Sequence, residues 1–235
     1  MAPMDYEAER SEMVETGRRL WMRGLVTAND GNLSMRLGEG RFLCTPTGVS
    51  KGFMREGDLC VIDAAGQRLS GPTGPSSEIR LHLRAYETRS DVRAVVHAHP
   101  PHATAFAVAE QPLTVPTMTE VVVSLVGAPL APFAPPSSEA LAESIVPFID
   151  QSDAVLLAHH GAVTVGSTLE EAAFRMETLD HYARILIAAR QIGGEVPLGR
   201  AEVEQLLDLR RRMGLSGGRM GVANEWHARW REGED

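Results

Sequence analysis

The stretch Ala94-Val-Val-His97-Ala-His99-Pro100 decides the fold of this chain and carries its most informative side chains. Apolar residues and imidazoles alternate up to the proline, which predicts a buried strand with His97 and His99 on one face. Same-face neighbours on a strand lie roughly 6.5–7 Å apart, so both imidazoles can reach one metal ion, most often zinc. A third ligand must come from elsewhere. The alternative is two polar residues at a strand end that hydrogen-bond to a neighbouring loop.

Composition limits the class of protein. Of 235 residues, 43% are hydrophobic and 23% charged, which predicts one domain over residues 1–235. Without an apolar run of about 18 residues or a signal-peptide layout, we expect a cytoplasmic protein with no membrane partner. The net charge of −8 disfavours nucleic acid as a partner. Cys44 and Cys60 are typical of reduced core thiols.

Two loops near the N-terminus combine turn formers with small polar side chains. Thr27–Ser34 and Pro46–Lys51 flank a predicted hairpin, with strands at Leu33–Leu37 and Arg41–Thr45 joined at Gly38–Gly40. Exposed amides, hydroxyls and a lysine are the groups that cradle a phosphate. Simple hairpin turns remain the alternative interpretation.

A third polar segment leads into a helix predicted from Ile79 to Arg89. Ser76 or Ser77 is expected to be its N-cap, which places Glu78 in the first turn, where the helix dipole favours a carboxylate. The segment would also be a good helix start without any function.

A second buried strand is predicted over Ala154–Gly161. If alternation holds to its end, His160 lies on one face and His159 points the opposite way. Beyond it, the tail is expected to contain a helix at Ala201–Met213 and a glycine-rich turn at Ser216–Gly218.

Five short motifs, in this order and at these intervals, resemble the class II aldolase/adducin family. They are Asn29-Asp-Gly-Asn32, Thr45-Pro-Thr-Gly48, Pro75-Ser-Ser-Glu78, Val96-His-Ala-His99 and His159-His-Gly161. The resemblance covers roughly residues 8–190, which implies a domain core at about 8–190 followed by a C-terminal helical tail at about 191–235. The family includes L-fuculose-1-phosphate aldolase, L-ribulose-5-phosphate 4-epimerase and methylthioribulose-1-phosphate dehydratase.

The resemblance implies an α/β fold, a three-layer α/β/α sandwich with a mostly antiparallel central sheet. It also implies a homotetramer with sites at subunit interfaces. One Zn²⁺ per chain would be held by His97, His99 and His160, while Glu78 would ligate zinc or take a proton. The phosphate and substrate loops correspond to Gly31, Asn32, Thr47, Gly48, Ser76 and Ser77, to which the sequence adds Lys51. Asp30 departs from the aldolase pattern, which has a serine there.

The implied reaction is cleavage of a phosphorylated ketose to dihydroxyacetone phosphate and an aldehyde through a metal-stabilised enediolate. Epimerisation or dehydration of a sugar phosphate would use the same chemistry. An adducin-like interaction domain without metal is a further alternative, which the retained histidines and Glu78 disfavour.

Glu120 is the other catalytic candidate. Aligned on Val115-Pro116, it takes the place of a tyrosine that acts as an acid in the aldolase, and no tyrosine follows Tyr182. The run Val121–Val123 predicts an apolar environment that raises the Glu120 pKa and makes it a general acid or base at a neighbouring subunit's zinc. An interface salt bridge is the alternative.

Overall fold

A mixed eight-stranded sheet lies at the centre of the computed structural model, which describes residues 6–215 and 220–232. The strands are β1 (Asn32–Gly38), β2 (Arg41–Cys44), β3 (Cys60–Asp63), β4 (Arg68–Ser70), β5 (Ala94–Ala98), β6 (Leu130–Ala131), β7 (Ala154–Leu157) and β8 (Gly161–Gly166). Their order across the sheet is β4-β3-β2-β1-β5-β8-β7-β6. Every pairing between these strands is antiparallel except β6 with β7. The predicted mostly antiparallel sheet is confirmed.

Helices cover both faces of the sheet. They are α1 (Glu7–Met22), α2 (Ile79–Thr88), α3 (Pro101–Val108), α4 (Thr119–Ser124), α5 (Glu139–Ser144), α6 (Val146–Ile149), α7 (Leu169–Gln191), α8 (Arg200–Arg212) and α9 (Gly221–Glu232), with a 3₁₀ turn at Glu56–Asp58. Helices α1, α3 and α7 pack on one face, and α2, α5 and α6 pack on the other. This is the predicted α/β/α sandwich.

The alternation of β5 shows why the layers form. Val96 packs into the α1/α3/α7 layer, whereas Val95 packs into the α2/α5/α6 layer. Because successive strand residues face opposite sides, an apolar strand buries both faces. His97 is also fully buried and shares the face of Val95, so its imidazole is directed toward the layer that contains α2.

The second predicted strand ends earlier than expected. β7 stops at Leu157, and residues 158–160 form the turn that leads into β8. His159 adopts a positive φ of 56° there. The prediction that strand alternation continues through His160 is therefore wrong, because the apolar pattern runs through a tight hairpin and not along one strand.

The C-terminal helices form a smaller apolar cluster together with the region of α4. Val122 of α4, Leu207 of α8 and Trp226 of α9 are among its buried members. The helix predicted at Ala201–Met213 corresponds to α8, whereas α9 was not predicted. The predicted turn at Ser216–Gly218 lies outside the described residues.

Two smaller expectations concern the cysteines and the membrane. Cys44 and Cys60 are buried and free, on paired positions of β2 and β3. Within the described ranges, no helix combines the length and apolar character needed to cross a bilayer.

Candidate metal centre and active site

Three imidazoles meet at one end of the central strands. His97 is the penultimate residue of β5 and pairs with Asn32 on β1 and Val163 on β8. His99 follows the end of β5, and His160 is delivered by the turn before β8. The ring centroids lie 4.8–5.0 Å apart. One nitrogen from each ring lies within 4.8 Å of the others, so the group could hold a metal ion.

Glu78 adds an oxygen to this group. Its Oε2 lies 3.2 Å from Nε2 of His97, and its Oε1 lies 3.3 Å from Nε2 of His160. Nε2 of His99 is 3.2 Å from Nε2 of His97. For zinc–ligand bonds of roughly 2.0–2.1 Å, ligand atoms of a tetrahedral site lie roughly 3.3 Å apart. The spacing of these four residues therefore fits one small divalent cation.

An orphaned oxygen supports the same conclusion. Oε1 of Glu78 is buried without a hydrogen-bond partner, even though Nε2 of His160 is 3.3 Å away. An imidazole lone pair and a carboxylate oxygen that face each other cannot bond without a proton or a cation between them, so this close approach fits a bound cation. A buried carboxylate oxygen is costly unless something satisfies it.

Protonation states suit a metal ligand set. Nδ1 of His97 donates to the carbonyl of Ala162 at 3.0 Å, which leaves the Nε2 lone pair directed at the centre. Burial and the neighbouring His97 lower the pKa of His99 and bring that of His160 to about 4. Burial would raise the pKa of Glu78, but its contacts with His97, His160 and Asn32 outweigh this and lower it to about 2. At neutral pH His99 and His160 therefore present free imidazole nitrogens, and Glu78 presents an ionised carboxylate.

Two glycines make room for the centre. Gly31 has a φ of +72°, and a Cβ there would lie 2.9 Å from the carbonyl oxygen of His97. At Gly161 a Cβ would lie 2.7 Å from Cδ2 of His99. Larger residues would push against the strand end that carries the ligands.

A polar cavity of about 140 Å³ adjoins the centre. It brings together every residue predicted for the substrate loops, and its lining consists of Asn29, Asp30, Gly31, Asn32, Pro46, Thr47, Gly48, Lys51, Ser76, Ser77, Glu78 and His99. Three separate loops thus form one pocket.

Hydrogen bonds tie these loops to one another. The backbone amide of Thr47 donates to Gly74 at 3.2 Å, and that of Ser76 donates to Thr45 at 3.3 Å. Those two amides are therefore engaged within the protein, contrary to the predicted phosphate contact. The Ser77 hydroxyl accepts from Ser137 at 2.9 Å.

Lys51 supplies a buried cation to the cavity. Its Nζ donates to the carbonyls of Asn29 at 2.6 Å and Val49 at 3.0 Å. Burial lowers its pKa to about 8, against the opposing influence of Asp30 and Glu78. The ammonium is thus anchored at the floor of the predicted anion site.

The helix start differs from the prediction. Glu78 itself is the N-cap of α2, and no side chain caps the helix. The Ser76 hydroxyl instead accepts from the Glu78 amide at 3.3 Å, and the Ser76 carbonyl accepts from Ile79. The expected serine N-cap is wrong because this tight turn precedes the helix and brings the Glu78 carboxylate to the histidines.

The Asp30 carboxylate lies beside the ring of His99. Oδ2 of Asp30 lies 3.7 Å from Nδ1 of His99, on the side of the ring away from His97.

His159 is exposed, and its Nε2 lies 3.1 Å from Glu110. The expected divergence of His159 from His160 is therefore observed, although a turn and not strand alternation produces it.

Glu120 does not have the environment predicted for it. Its side chain is exposed and accepts a hydrogen bond from Thr119 at 2.7 Å, which lowers its pKa. The expected raised pKa is wrong for this chain, because α4 turns Val121 and Val122 into the core and leaves Glu120 outside. Glu120 is also absent from the cavity lining.

Sequence reasoning missed one buried polar residue next to the site. His82 of α2 is fully buried and contacts Asn32 and Ser34 through its two ring nitrogens. The sequence feature that could have indicated this role is a lone histidine between Leu81 and Leu83, one helical turn after Glu78.

Comparison with known proteins assigns the family. The model for the class II aldolase and adducin N-terminal domain matches residues 11–187. The chain belongs to this family. Within the class II aldolase and adducin family it is similar to the 3-oxo-tetronate 4-phosphate decarboxylase of Escherichia coli O6:H1 strain CFT073, with 33% identity covering 86% of this chain and 94% of that protein.

Other class II relatives carry a different activity. The L-fuculose phosphate aldolase of Methanococcus maripaludis strain S2 is 34% identical, covering 74% of this chain and 94% of that protein. A solved L-fuculose 1-phosphate aldolase superposes with a TM-score of 0.82 at 29% identity, covering 90% of this chain and 100% of the other. Similarity thus spans two activities of one family.

Proposed function

We propose that this protein is a zinc-dependent lyase that cleaves a phosphorylated ketose to dihydroxyacetone phosphate and an aldehyde. The observation that carries the proposal is the meeting of His97, His99, His160 and Glu78 at the edge of a polar cavity that contains Lys51. A cation in that set would supply Lewis acidity to two neighbouring substrate oxygens. The similarity to fuculose phosphate aldolases supports this reaction.

The protein's own residues would bind and orient the substrate. The Lys51 ammonium and the hydroxyls of Ser76 and Ser77 lie in the same cavity, where they would hold the phosphate. Phosphate binding away from the reacting carbons supplies energy for positioning them.

Glu78 would move the proton. Its Oε2 is held by the amide of Asn32 at 3.1 Å, while its Oε1 has no hydrogen-bond partner. An ionised Oε1 can take a substrate hydroxyl proton and return it to the enediolate carbon. In aldol cleavage a second group must remove the proton from the hydroxyl that becomes the aldehyde and return it to the product oxygen that Glu78 deprotonated, a role we assign to Glu120 of a neighbouring subunit.

Decarboxylation of a 3-oxo-tetronate 4-phosphate is the second candidate, and the exposed position of Glu120 favours it. Loss of CO₂ from such an acid leaves the same dihydroxyacetone phosphate enediolate as retro-aldol cleavage of a ketose 1-phosphate. No hydroxyl proton has to be removed from the departing group, so no second base is needed. The similarity to decarboxylases over 86% of this chain supports it.

A product assay separates these candidates. Zinc-loaded protein is incubated with ketose 1-phosphates and, separately, with 3-oxo-tetronate 4-phosphates, and dihydroxyacetone phosphate is measured by coupled NADH oxidation. Aldolase activity gives an equimolar aldehyde, whereas decarboxylase activity gives equimolar trapped CO₂. Ribulose 5-phosphate and methylthioribulose 1-phosphate test epimerisation and dehydration. Failure on every substrate would contradict an enzymatic role and favour an adducin-like interaction domain.

We also propose a homotetramer with sites at subunit interfaces. The family resemblance supports this assembly, and so does the need for a second base that this chain does not bring to its own cavity. Light scattering during size exclusion should give about four times the mass of 25.5 kDa. A monomer with full activity would contradict the proposal.

A further inference from the structure

A chain of buried hydrogen bonds runs from the core to Glu78. Ser34 Oγ lies 2.8 Å from the Tyr86 hydroxyl and 2.7 Å from Nδ1 of His82. Nε2 of His82 contacts Oδ1 of Asn32, and Nδ2 of Asn32 lies 3.1 Å from Oε2 of Glu78. Ser34, Asn32, His82 and Tyr86 are all buried.

The ionised end of the chain determines the direction of every bond. A carboxylate only accepts, so Asn32 must donate its Nδ2–H to Glu78. Its Oδ1 then accepts, and His82 must donate from Nε2. A neutral imidazole with hydrogen on Nε2 has a lone pair on Nδ1, so Ser34 donates to His82 and Tyr86 donates to Ser34. All donations point toward the metal centre.

The neutral state of His82 is consistent with its surroundings. Burial, aided by the nearby His97, lowers its pKa to about 3. The layer that contains α2 includes Cys44, Cys60, Tyr86 and apolar side chains, and Arg36 stacks over the Tyr86 ring at 4.9 Å. A doubly protonated ring would instead donate from Nδ1 to Ser34, which would reverse the two bonds that join His82, Ser34 and Tyr86.

We propose that His82 is a positioning residue whose Nε2–H orients the Asn32 amide, which in turn holds Oε2 of Glu78 and leaves Oε1 directed at the metal centre. This inference rests on the role proposed above for Glu78. A hydrogen bond to the outer atom of a metal-ligating group typically changes metal affinity or activity about 10–100-fold when removed. An apolar residue at position 82 would fill the core, but it would leave Oδ1 of Asn32 unsatisfied.

The first test reads the tautomer directly in the unsubstituted protein. Long-range ¹H–¹⁵N spectra of the metal-free protein should show His82 as the neutral Nε2–H form, with that proton protected from exchange. An Nδ1–H form would reverse the direction of the hydrogen bonds that His82 makes with Ser34 and Asn32, and it would overturn the proposal. This measurement needs neither substrate nor metal, so it is independent of the proposed reaction.

The second test compares two substitutions of similar size. His82→Gln keeps a donor near the position of Nε2, whereas His82→Asn keeps polar atoms only near Nδ1. We expect His82→Asn to weaken zinc binding about 10-fold or more, measured by chelator competition, and His82→Gln to restore most of the affinity. Equal affinities for His82→Asn and the unsubstituted protein would make His82 purely structural.

A control separates positioning from general damage to the core. Tyr86→Phe removes the first donor but leaves the bonds from His82 to Glu78 in place, so zinc affinity should stay within about twofold. If Tyr86→Phe weakens zinc binding as much as His82→Asn, the proposal falls. Because all readouts are metal affinity or spectra, an unsuccessful substrate assay would not affect them.

Discussion

Oε2 of Glu78 lies 3.2 Å from Nε2 of His97, although one residue caps a surface helix and the other belongs to an interior strand. The two meet because α2 packs on the sheet face that carries Val95 and His97. Their distance therefore depends on the packing of layers. The fold brings the members of the centre together from separate elements, which makes each of them individually testable.

Loss of a histidine ligand should abolish tight zinc binding. In His99→Ala, zinc measured by mass spectrometry after dialysis should fall from about one per chain to near zero, because only two imidazoles and the Glu78 carboxylate would remain to hold the ion. His159→Ala is the matched control. Its ring is exposed and bonded to Glu110, so it should keep its zinc. Full zinc content in His99→Ala would contradict the assignment.

Metal removal should lower thermal stability. A ligand bound only by the folded state at 100 times its Kd adds about 2.7 kcal/mol, which corresponds to roughly 5–10 °C in Tm for a chain of this size. Chelation should produce that decrease in the unsubstituted protein and none in His99→Ala, as calorimetry would show. Equal shifts in both would place the stabilising ion elsewhere.

A negative charge in the cavity should weaken binding of the phosphorylated substrate. Ser76→Asp places a carboxylate in the cavity beside Lys51, and repulsion should raise KM about tenfold or more while kcat changes less, since one phosphate–carboxylate contact costs on the order of 1–2 kcal/mol. Ser11→Asp, an exposed position on α1, introduces the same charge elsewhere. An unaltered KM in Ser76→Asp would move the phosphate site.

The histidine strand and the layered fold could be predicted because their signals are local. Alternation around His97 survives in the structure, since both faces of β5 are buried. The polar loops could be grouped through the family resemblance, and the structure gathers their residues in one cavity.

Other features depend on packing that no local pattern records. The turn after Leu157 continues an apolar run, so alternation alone could not reveal where the strand ended. Glu120 precedes three valines, yet each residue of a helix is rotated by about 100° from the one before it, so Glu120 is exposed while Val121 and Val122 are buried. The bond between His82 and Asn32 joins α2 to β1, and neither sequence segment indicates it.

Acid should destabilise the metal-free protein through its buried neutral histidines. The pKa of His82 is about 3 and that of His160 about 4 in the folded chain, against about 6.5 when unfolded. The unfolded state thus binds more protons from pH 6.5 down to the folded values, and stability falls as pH decreases through that window. His82 should lower the free energy of unfolding by about 2 kcal/mol between pH 7 and pH 5.

Urea unfolding at the two pH values measures this loss. His82→Gln removes one titrating group, so its free energy of unfolding should fall less than that of the unsubstituted protein over the same interval. The same fall in both proteins would show that His82 titrates normally in the folded state.

Glu120 distinguishes the two candidate reactions. If a neighbouring subunit's Glu120 removes the proton from the departing hydroxyl, Glu120→Gln should lower kcat for aldol cleavage by about 10² or more, the usual scale for losing a general base. Zinc content and subunit assembly should not change, because Glu120 is exposed and contacts Thr119. Decarboxylation needs no such base, so its kcat should stay within about twofold.

Glu139→Gln is the control for this substitution, since Glu139 is also an exposed glutamate in the first turn of a six-residue helix. It should leave kcat unchanged for either reaction. Because the pKa of Glu120 is lowered in the isolated chain by its bond to Thr119, a catalytic role requires that contact with a neighbouring subunit replace this bond. An unchanged kcat for aldol cleavage in Glu120→Gln would show that no subunit contact replaces this bond. Glu78 would then be the single proton carrier, which is sufficient for decarboxylation.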